Sequence, residues 1–302
     1  MNKELIIRSH SSAVDFALLK DGKLIELNQE VEDNKFSVGD IFVGKIRKAV
    51  PGLNAAFVDV GHEKDGFLHY HDLGPKLPSL VKYIKQISTG KNKDYLLKQF
   101  RYEKDIDKDG NIGDIVSPKQ TVLVQVVKEP ISTKGPRLSS EISLAGRFMV
   151  LMPFSDRVSI STKIEDRAEK TRLKKLVQSI RPKGFGLIIR TVAEGQKVAA
   201  LDADIQQLIT RWKNLSAKLK QIDKYPTKVL SEINRSSSIL RDIFDDSFTG
   251  IHVDDAEMQT EIQDYLETIA PEKKSIVKLY DHHLPIFEKY GIERQIKSSF
   301  GT

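Results

Sequence analysis

The sequence predicts a multidomain α+β protein. Three patterns carry this: a hairpin-like opening, a dense run of short strands from residue 37, and alternating strand and helix patterns from about residue 141 to the end. At 302 residues the chain is long enough for two or three compact units. The opening hairpin and the closing α/β segment suit one discontinuous domain with the middle inserted. That arrangement divides the chain at 1–36, 37–140, 141–235 and 236–302.

The elements follow in order. Leu5, Ile6 and Ile7 begin a strand, and Val14, Phe16 and Leu18 alternate in the next. Asp21-Gly22 has the composition of a type I′ turn, after which Leu24, Ile25 and Leu27 return. The polar stretch EVEDNK leads to the middle segment. There, Ile41-Phe42-Val43, Ala55–Val60 and Phe67-Leu68 read as strands, divided by Pro51-Gly52 and the polar turn Gly61–Gly66. Two more are expected at Thr121–Lys128 and near Arg137–Ser140. Residues 74–118 between them carry Leu77, Leu80, Ile84 and Ile87 at mixed helical spacing, then a polar run from Lys91 to Gly113. That stretch reads as an insertion making a mobile surface excursion.

Beyond residue 141, strand patterns occupy Phe148–Met152, Val158–Ser161 and Gly186–Thr191, with a helix over Ile164–Ile180. In Lys197–Leu219 the residues Val198, Leu201, Ile205, Leu208, Trp212, Leu215 and Leu219 recur three or four apart, marking an amphipathic helix. Tyr225-Pro226 interrupts the chain. Helices are expected at Ile239–Phe244, Ala256–Ile269 and Pro285–Ser298, the last with proline in its first turn. Strands are expected at Phe248–Val253 and Ile276–Tyr280. In the final helix, Ile286, Phe287, Tyr290, Ile292, Ile296 and Phe300 spread over more than one narrow stripe, as though a further neighbour were required.

Composition limits the function classes. No apolar run approaches the length of a membrane span, and MNKELIIRSH lacks the apolar core of a secretory signal. With no cysteine there is neither disulfide nor thiolate metal site, and a cytoplasmic location is expected. The net charge of +6, without a basic amphipathic anchor, favours a polyanionic partner over an acidic lipid surface.

The motifs admit competing readings. In Gly44-Lys45-Ile46-Arg47-Lys48 cations alternate with an apolar residue, which makes Lys45 a candidate for binding nucleic acid. Phe57 and Phe67 can share one sheet face as a stacking platform for unpaired bases, or fill a barrel interior. The helix with Arg167, Lys170, Arg172, Lys174, Lys175 and Arg181 is a solvated face or an RNA-backbone track. Asp105–Ile112 has the start of a calcium loop, but its twelfth position is Val116 rather than glutamate, and a polar turn explains it better. Asp245-Asp246 and Asp254-Asp255, with Asp15, would have to converge to support two-metal cleavage. Helix capping and turns explain them more simply.

Gly39 through Leu73 resembles the OB-fold RNA-binding domain of the ribosomal protein S-one type. GKIRKAVPGLNAAFVDVGHEKDGFLH resembles that domain more closely as it occurs in the bacterial RNase E/G endoribonucleases. TKGPRLSSEISLAGRFMVLMP, GFGLIIRT and LPIFEKYGIERQIKSSF resemble later segments of the same family in its order. The resemblance implies an OB-type β-barrel over 37–140, an α/β 5′-sensor subdomain over 141–235, and a discontinuous RNase H-like scaffold from 1–36 and 236–302. It implies that Phe57 and Phe67 contact RNA with Lys134 beside them. It also implies that Gly146, Val150, Arg190 and Thr191 form a pocket for a 5′-monophosphate. A guanidinium suits that task by gripping two phosphate oxygens, and a hydroxyl adds a donor. Where the family often carries paired arginines, this chain has Thr162-Lys163, which weakens the accessory charge.

For the intact protein the resemblance implies a magnesium-dependent, single-strand-specific endoribonuclease of rRNA processing and mRNA decay, acting as a homo-oligomer. In the family the magnesium-binding aspartates lie in a DNase I-like subdomain after a segment like IERQIKSSF, and a cysteine pair shares zinc between protomers. Neither motif occurs within residues 1–302, so no catalytic residue, magnesium ligand or zinc ligand is assigned here. The chain is expected to be an N-terminal portion that binds single-stranded RNA, prefers a 5′-monophosphate, and does not cut alone. The alternative is a non-catalytic RNA-binding adaptor, complete as given.

Overall fold

The computed structural model describes residues 2–31, 35–93, 95–232 and 235–300. Positions 32–34 of the expected linker and the last two residues of the chain lie outside them. The architecture is mixed α+β, and the chain divides into two compact units: Met1–Lys35 with Ile233–Thr302, and Phe36–Glu232.

The first unit begins with an antiparallel meander of β1 (Lys3–Ser9), β2 (Ala13–Lys20) and β3 (Lys23–Val31). Asp21 and Gly22 both take positive φ, 48° and 77°, as a type I′ turn demands.

In the second unit, β4 (Ile41–Val50), β5 (Ala55–Asp59), β6 (Gly66–His69), β7 (Thr121–Lys128) and β8 (Arg137–Ser139) close a barrel in the order β4-β5-β6-β8-β7-β4. Strand alternation divides the side chains between two cores. Phe42, Ile46, Ala56, Val58, Leu68, Val122 and Val124 fill the barrel. Ile41, Val43 and Leu123 point the other way, into a second core.

The segment at 74–118 contributes to both cores, which corrects the expectation of a surface excursion. It contains α1 (Leu77–Ser88) and α2 (Ile112–Ile115). Leu77, Ile112 and Val116 pack on the barrel core, while Leu80, Tyr83, Ile84, Ile87 and Leu97 join the second. The apolar face of α1 thus meets the barrel at its first turn and the second core beyond it. The acidic loop within it is tied down as a turn: Tyr70 donates to the Asp107 carbonyl at 2.5 Å and Asn54 to the Gly110 carbonyl at 3.0 Å.

The second core lies under a sheet of order β11-β12-β10-β9, from β9 (Leu144–Ala145), β10 (Met149–Pro153), β11 (Val158–Ile160) and β12 (Phe185–Ile189). Two helices, α3 (Arg167–Ile180) and α4 (Val198–Lys220), cover one face, on which Met149, Leu151, Leu187 and Ile189 meet Leu173, Val177, Leu201 and Leu208. On the other face, Val150 is half-buried and its register partner Ile188 is 38% exposed. After Tyr225-Pro226 the chain forms β13 (Thr227–Leu230), a strand the sequence reading lacked, which pairs with β4 through Thr227 and Val43.

The first unit then resumes with α5 (Arg235–Ile243), β14 (Phe248–Val253), α6 (Ala256–Ile269), β15 (Val277–Leu279), α7 (Ile286–Lys289) and α8 (Ile292–Phe300). Its sheet runs β15-β14-β1-β2-β3, with β1, β14 and β15 parallel. Leu5, Ile7, Val14, Phe16 and Leu18 face Leu240, Ile262 and Leu266 of α5 and α6. Ile6, Ala17 and Leu19 on the opposite face meet Ile286, Phe287 and Ile292. The expected single helix over Pro285–Ser298 is thus two helices, divided at Gly291 with φ 67°. Of its apolar side chains, Ile286, Phe287 and Ile292 are buried against the second face of this sheet, and Tyr290 and Ile296 pack beside them.

Candidate nucleic-acid interface and phosphate pocket

The barrel interior takes Ala56, Val58 and Leu68, so alternation turns Phe57 and Phe67 outward, and both are half-buried. They are direct register partners on β5 and β6, with ring centroids 5.8 Å apart and planes at 73°. Register extends the pair in both directions. Lys48 on β4 pairs with Phe57, and its ammonium lies 5.1 Å from that ring's centroid. Arg137 on β8 pairs with Phe67 and is held by Asp72 at 2.9 Å. Four strands therefore present a transverse row of cation, ring, ring and cation.

Of the basic run Gly44–Lys48 the sequence reading singled out Lys45 rather than Lys48, and it did not single out Arg137. Strict alternation from Lys45 leads to Arg47, but a register shift between Ile46 and Lys48 brings Lys48 opposite Phe57. Lys45 instead pairs with Asp59 and lies over the Tyr225 ring, 4.8 Å from its centroid. Arg47 binds Asp59 at 2.7 Å and approaches Asp65 to 3.7 Å. Lys134 is exposed on a tight turn closed by the Ile131–Lys134 bridge. The Phe67 amide donates to the Pro136 carbonyl at 2.9 Å, which fixes that turn beside β6. Gly135 fits there because a Cβ would sit 2.2 Å from the Asp65 carbonyl oxygen.

Gly146, Val150, Arg190 and Thr191 come together at the β9–β10 turn and the adjoining end of β12. The Arg190 amide donates to the Phe148 carbonyl at 2.9 Å, and its Nη1 donates to the carbonyls of Gly146 at 2.7 Å and Arg147 at 3.2 Å. Main-chain oxygens thus orient a delocalised cation. Thr191 begins a 3-10 turn, its hydroxyl 3.1 Å from that of Ser161.

Asp204 was also missed. It lies on α4 amid the apolar stripe of Leu201, Ile205 and Leu208, and an acid in such a stripe was the available signal. Only 7% exposed, its carboxylate accepts the amides of Arg147, Phe148 and Met149, each at 2.9 Å. Burial pushes its carboxyl above the ordinary value, against those amides and Arg190, which favour the charge. A Cβ on Gly146 would stand 2.7 Å from both Asp204 oxygens, so glycine there keeps the turn seated on the carboxylate.

Several of the remaining candidates have structural partners. On α3, Arg172 donates twice to Glu169 at 2.6 Å and also to the Gln196 carbonyl, while Arg181 pairs with Asp156 at 3.0 Å. Asp15, 3% exposed, accepts from Arg8, Gln29 and His10. Burial would raise its carboxyl, but those hydrogen bonds outweigh it and hold the group below its ordinary value. Asp245 pairs with Lys3, Asp254 accepts the Ser9 amide, and Asp255 caps α6 through the Met258 amide. Among the described residues no group of three or more His, Asp or Glu side chains is placed to hold a metal ion. No described helix is long and apolar enough to cross a membrane.

A model of the Ribonuclease E/G family matches residues 143–302, more than half of the chain. The chain is 32% identical over 298 residues to Ribonuclease G of Haemophilus influenzae, covering 98% of this chain and 56% of that protein. To Ribonuclease G of Escherichia coli it is 31% identical, covering 98% of this chain and 57% of that protein. To Ribonuclease E of Nostoc it is also 31% identical, covering 99% of this chain and 39% of that protein. The chain therefore spans little more than half the length of the ribonuclease G relatives it matches.

Proposed function

Because the chain belongs to the ribonuclease E/G family, we propose that it is the RNA-capturing portion of a single-strand-specific endoribonuclease of RNA processing and decay. The observation that carries this reading is the row Lys48, Phe57, Phe67 and Arg137 across four strands of the barrel. Rings with accessible faces stack unpaired bases without regard to sequence, and flanking cations meet the phosphates. The OB-type reading of the barrel rests on the same surface. The order β3-β2-β1-β14-β15, antiparallel on one side and parallel on the other, supports an RNase H-like scaffold.

A second element of the proposal is 5′-end sensing. Arg190 is aimed by the Gly146 and Arg147 carbonyls, with the Thr191 hydroxyl as its chain neighbour. A 5′-monophosphate brings two charges and three acceptor oxygens, which a guanidinium and a hydroxyl suit. The pairing of Thr191 with Ser161 leaves a second hydroxyl within reach of the same phosphate.

Magnesium-assisted hydrolysis is proposed for the whole protein, together with a homo-oligomeric, cytoplasmic enzyme. Among the described residues no three His, Asp or Glu side chains are grouped to hold a metal ion, and the role proposed for this portion is binding. The test is fluorescence anisotropy of the chain with short single-stranded RNAs ending in a 5′-monophosphate or a 5′-hydroxyl. Tighter binding of the monophosphate is expected, together with loss of both complexes in the Phe57→Ala/Phe67→Ala double variant. Unchanged binding by that variant would remove the barrel from the proposal.

A further inference from the structure

The segment inserted between β6 and β7 concentrates charge. Residues 82–104 hold seven Lys and Arg against two acids, an excess of five in a chain whose net charge is +6. Part of this charge lines a bowl of about 570 Å³ at the end of α1, to which Lys82, Lys91, Lys93 and Arg101 contribute with Phe100. Among the described residues the lining has no carboxylate; its other polar groups are the amides of Gln86, Asn92 and Gln99. Asp94 is outside the described residues.

The bowl is built rather than incidental. Its rim is closed by the Lys91 and Asn92 amides, which donate to the Gln86 carbonyl at 2.9 and 3.3 Å, and by the Tyr95 amide on Asn92 Oδ1 at 3.2 Å. Beneath it, the Tyr95 carbonyl accepts from both Tyr83 at 2.8 Å and Trp212 at 3.0 Å, two fully buried side chains. Lys82 donates to the Arg101 carbonyl at 2.9 Å and pairs with Glu103 at 2.6 Å, so it clips the far wall in place. Lys91, Lys93 and Arg101 are exposed and have no carboxylate partner among the described residues. Three like charges gathered on one surface repel one another, and a bound polyanion relieves that repulsion.

We infer that this bowl is an accessory RNA-backbone site, separate from the aromatic row and from Arg190, which takes phosphates of a strand too long for the barrel alone. The inference rests on the proposed RNA-binding function and gives the inserted segment a part in it. Phosphate contacts of this kind position a strand without reading its sequence.

The test uses the full 302-residue chain and 5′-hydroxyl single-stranded RNAs of about 6 and about 24 nucleotides, below and above the reach of one barrel of this type. The variant is Lys91→Gln/Lys93→Gln/Arg101→Gln, whose thermal unfolding should match the unsubstituted chain. On the long RNA, the slope of log affinity against log salt should fall by about 2, from three contacts at roughly 0.7 each. On the short RNA, slope and affinity should stay as they were. An unchanged slope on the long RNA would overturn the accessory site, as would equal loss on both lengths, which marks a general charge effect. If Phe57→Ala/Phe67→Ala still abolishes binding in that case, the barrel reading stands. If instead that double variant is silent and the glutamine variant is not, the barrel reading falls and the bowl survives.

Discussion

Arg190 Nη1 donates to the Gly146 carbonyl at 2.7 Å, so the cation proposed to sense a terminal phosphate is aimed by the turn that glycine allows. Replacing Arg190 by Ala should leave binding of 5′-hydroxyl RNA nearly unchanged and remove the preference for a 5′-monophosphate. A charge-assisted hydrogen bond contributes about 1.5–3 kcal/mol, so the ratio of the two affinities should drop by roughly tenfold or more. Arg190→Lys keeps the charge but lacks the fork, and should recover only part of the ratio. A ratio untouched by Arg190→Ala would remove this residue from end recognition.

Phe57 and Phe67 make a separable contribution. Each substitution to Ala should cost about 1–3 kcal/mol of affinity for single-stranded RNA if each ring stacks one base. Lys48→Gln should act differently, lowering the salt slope by about 0.7 with a smaller loss of affinity at high salt. Titrations at several salt concentrations distinguish the two signatures. Equal salt slopes for the Lys48→Gln and unsubstituted chains would place that lysine outside the phosphate track.

How far the sequence could reveal these features depended on the physics of each. Period-two alternation allowed Phe57 and Phe67 to share a face but left open whether that face was the barrel interior, which the packing of Ala56, Val58 and Leu68 decides; the Asp21-Gly22 turn followed from the need for two positive φ angles. Lys48 stayed hidden because a register shift is a tertiary event, set by how β4 curves against β5. The helix at Leu77–Ser88 was partly legible, because Leu77, Leu80, Ile84 and Ile87 fall three and four apart on one face, but that this face meets two cores is tertiary information. Asp204 could have been found, since an acid in the stripe of an otherwise regular amphipathic helix calls for a buried partner.

The two-core role of the inserted segment has a stability consequence. Trp212 is the only tryptophan, fully buried, and it donates to the Tyr95 carbonyl beside Tyr83. Trp212→Ala should cost about 3–5 kcal/mol. Tyr83→Phe keeps the ring but removes a hydroxyl that contacts both the Tyr95 carbonyl and Ser216, and should cost about 1 kcal/mol. Urea unfolding followed by circular dichroism measures both. If Trp212→Ala unfolds at the same urea concentration as the unsubstituted chain, the segment does not anchor the core.

Glu169 supplies a pH-dependent test of the same unit. Two hydrogen bonds from Arg172, then the Gly195 amide, hold its carboxyl at about 2, below the ordinary 4.5. A carboxyl lowered by folding stabilises the native state fully above its unfolded value, and the contribution fades as pH falls toward the folded one. Because the Arg172 side chain is 40% exposed, solvent screens the pair and the contribution at neutral pH should be about 1 kcal/mol or less. Glu169→Gln should therefore lower Tm slightly at pH above about 5. As the pH falls from about 4.5 toward about 2, the gap from the unsubstituted chain should close. A gap that stays constant across that window would mean that the carboxylate charge contributes nothing to stability.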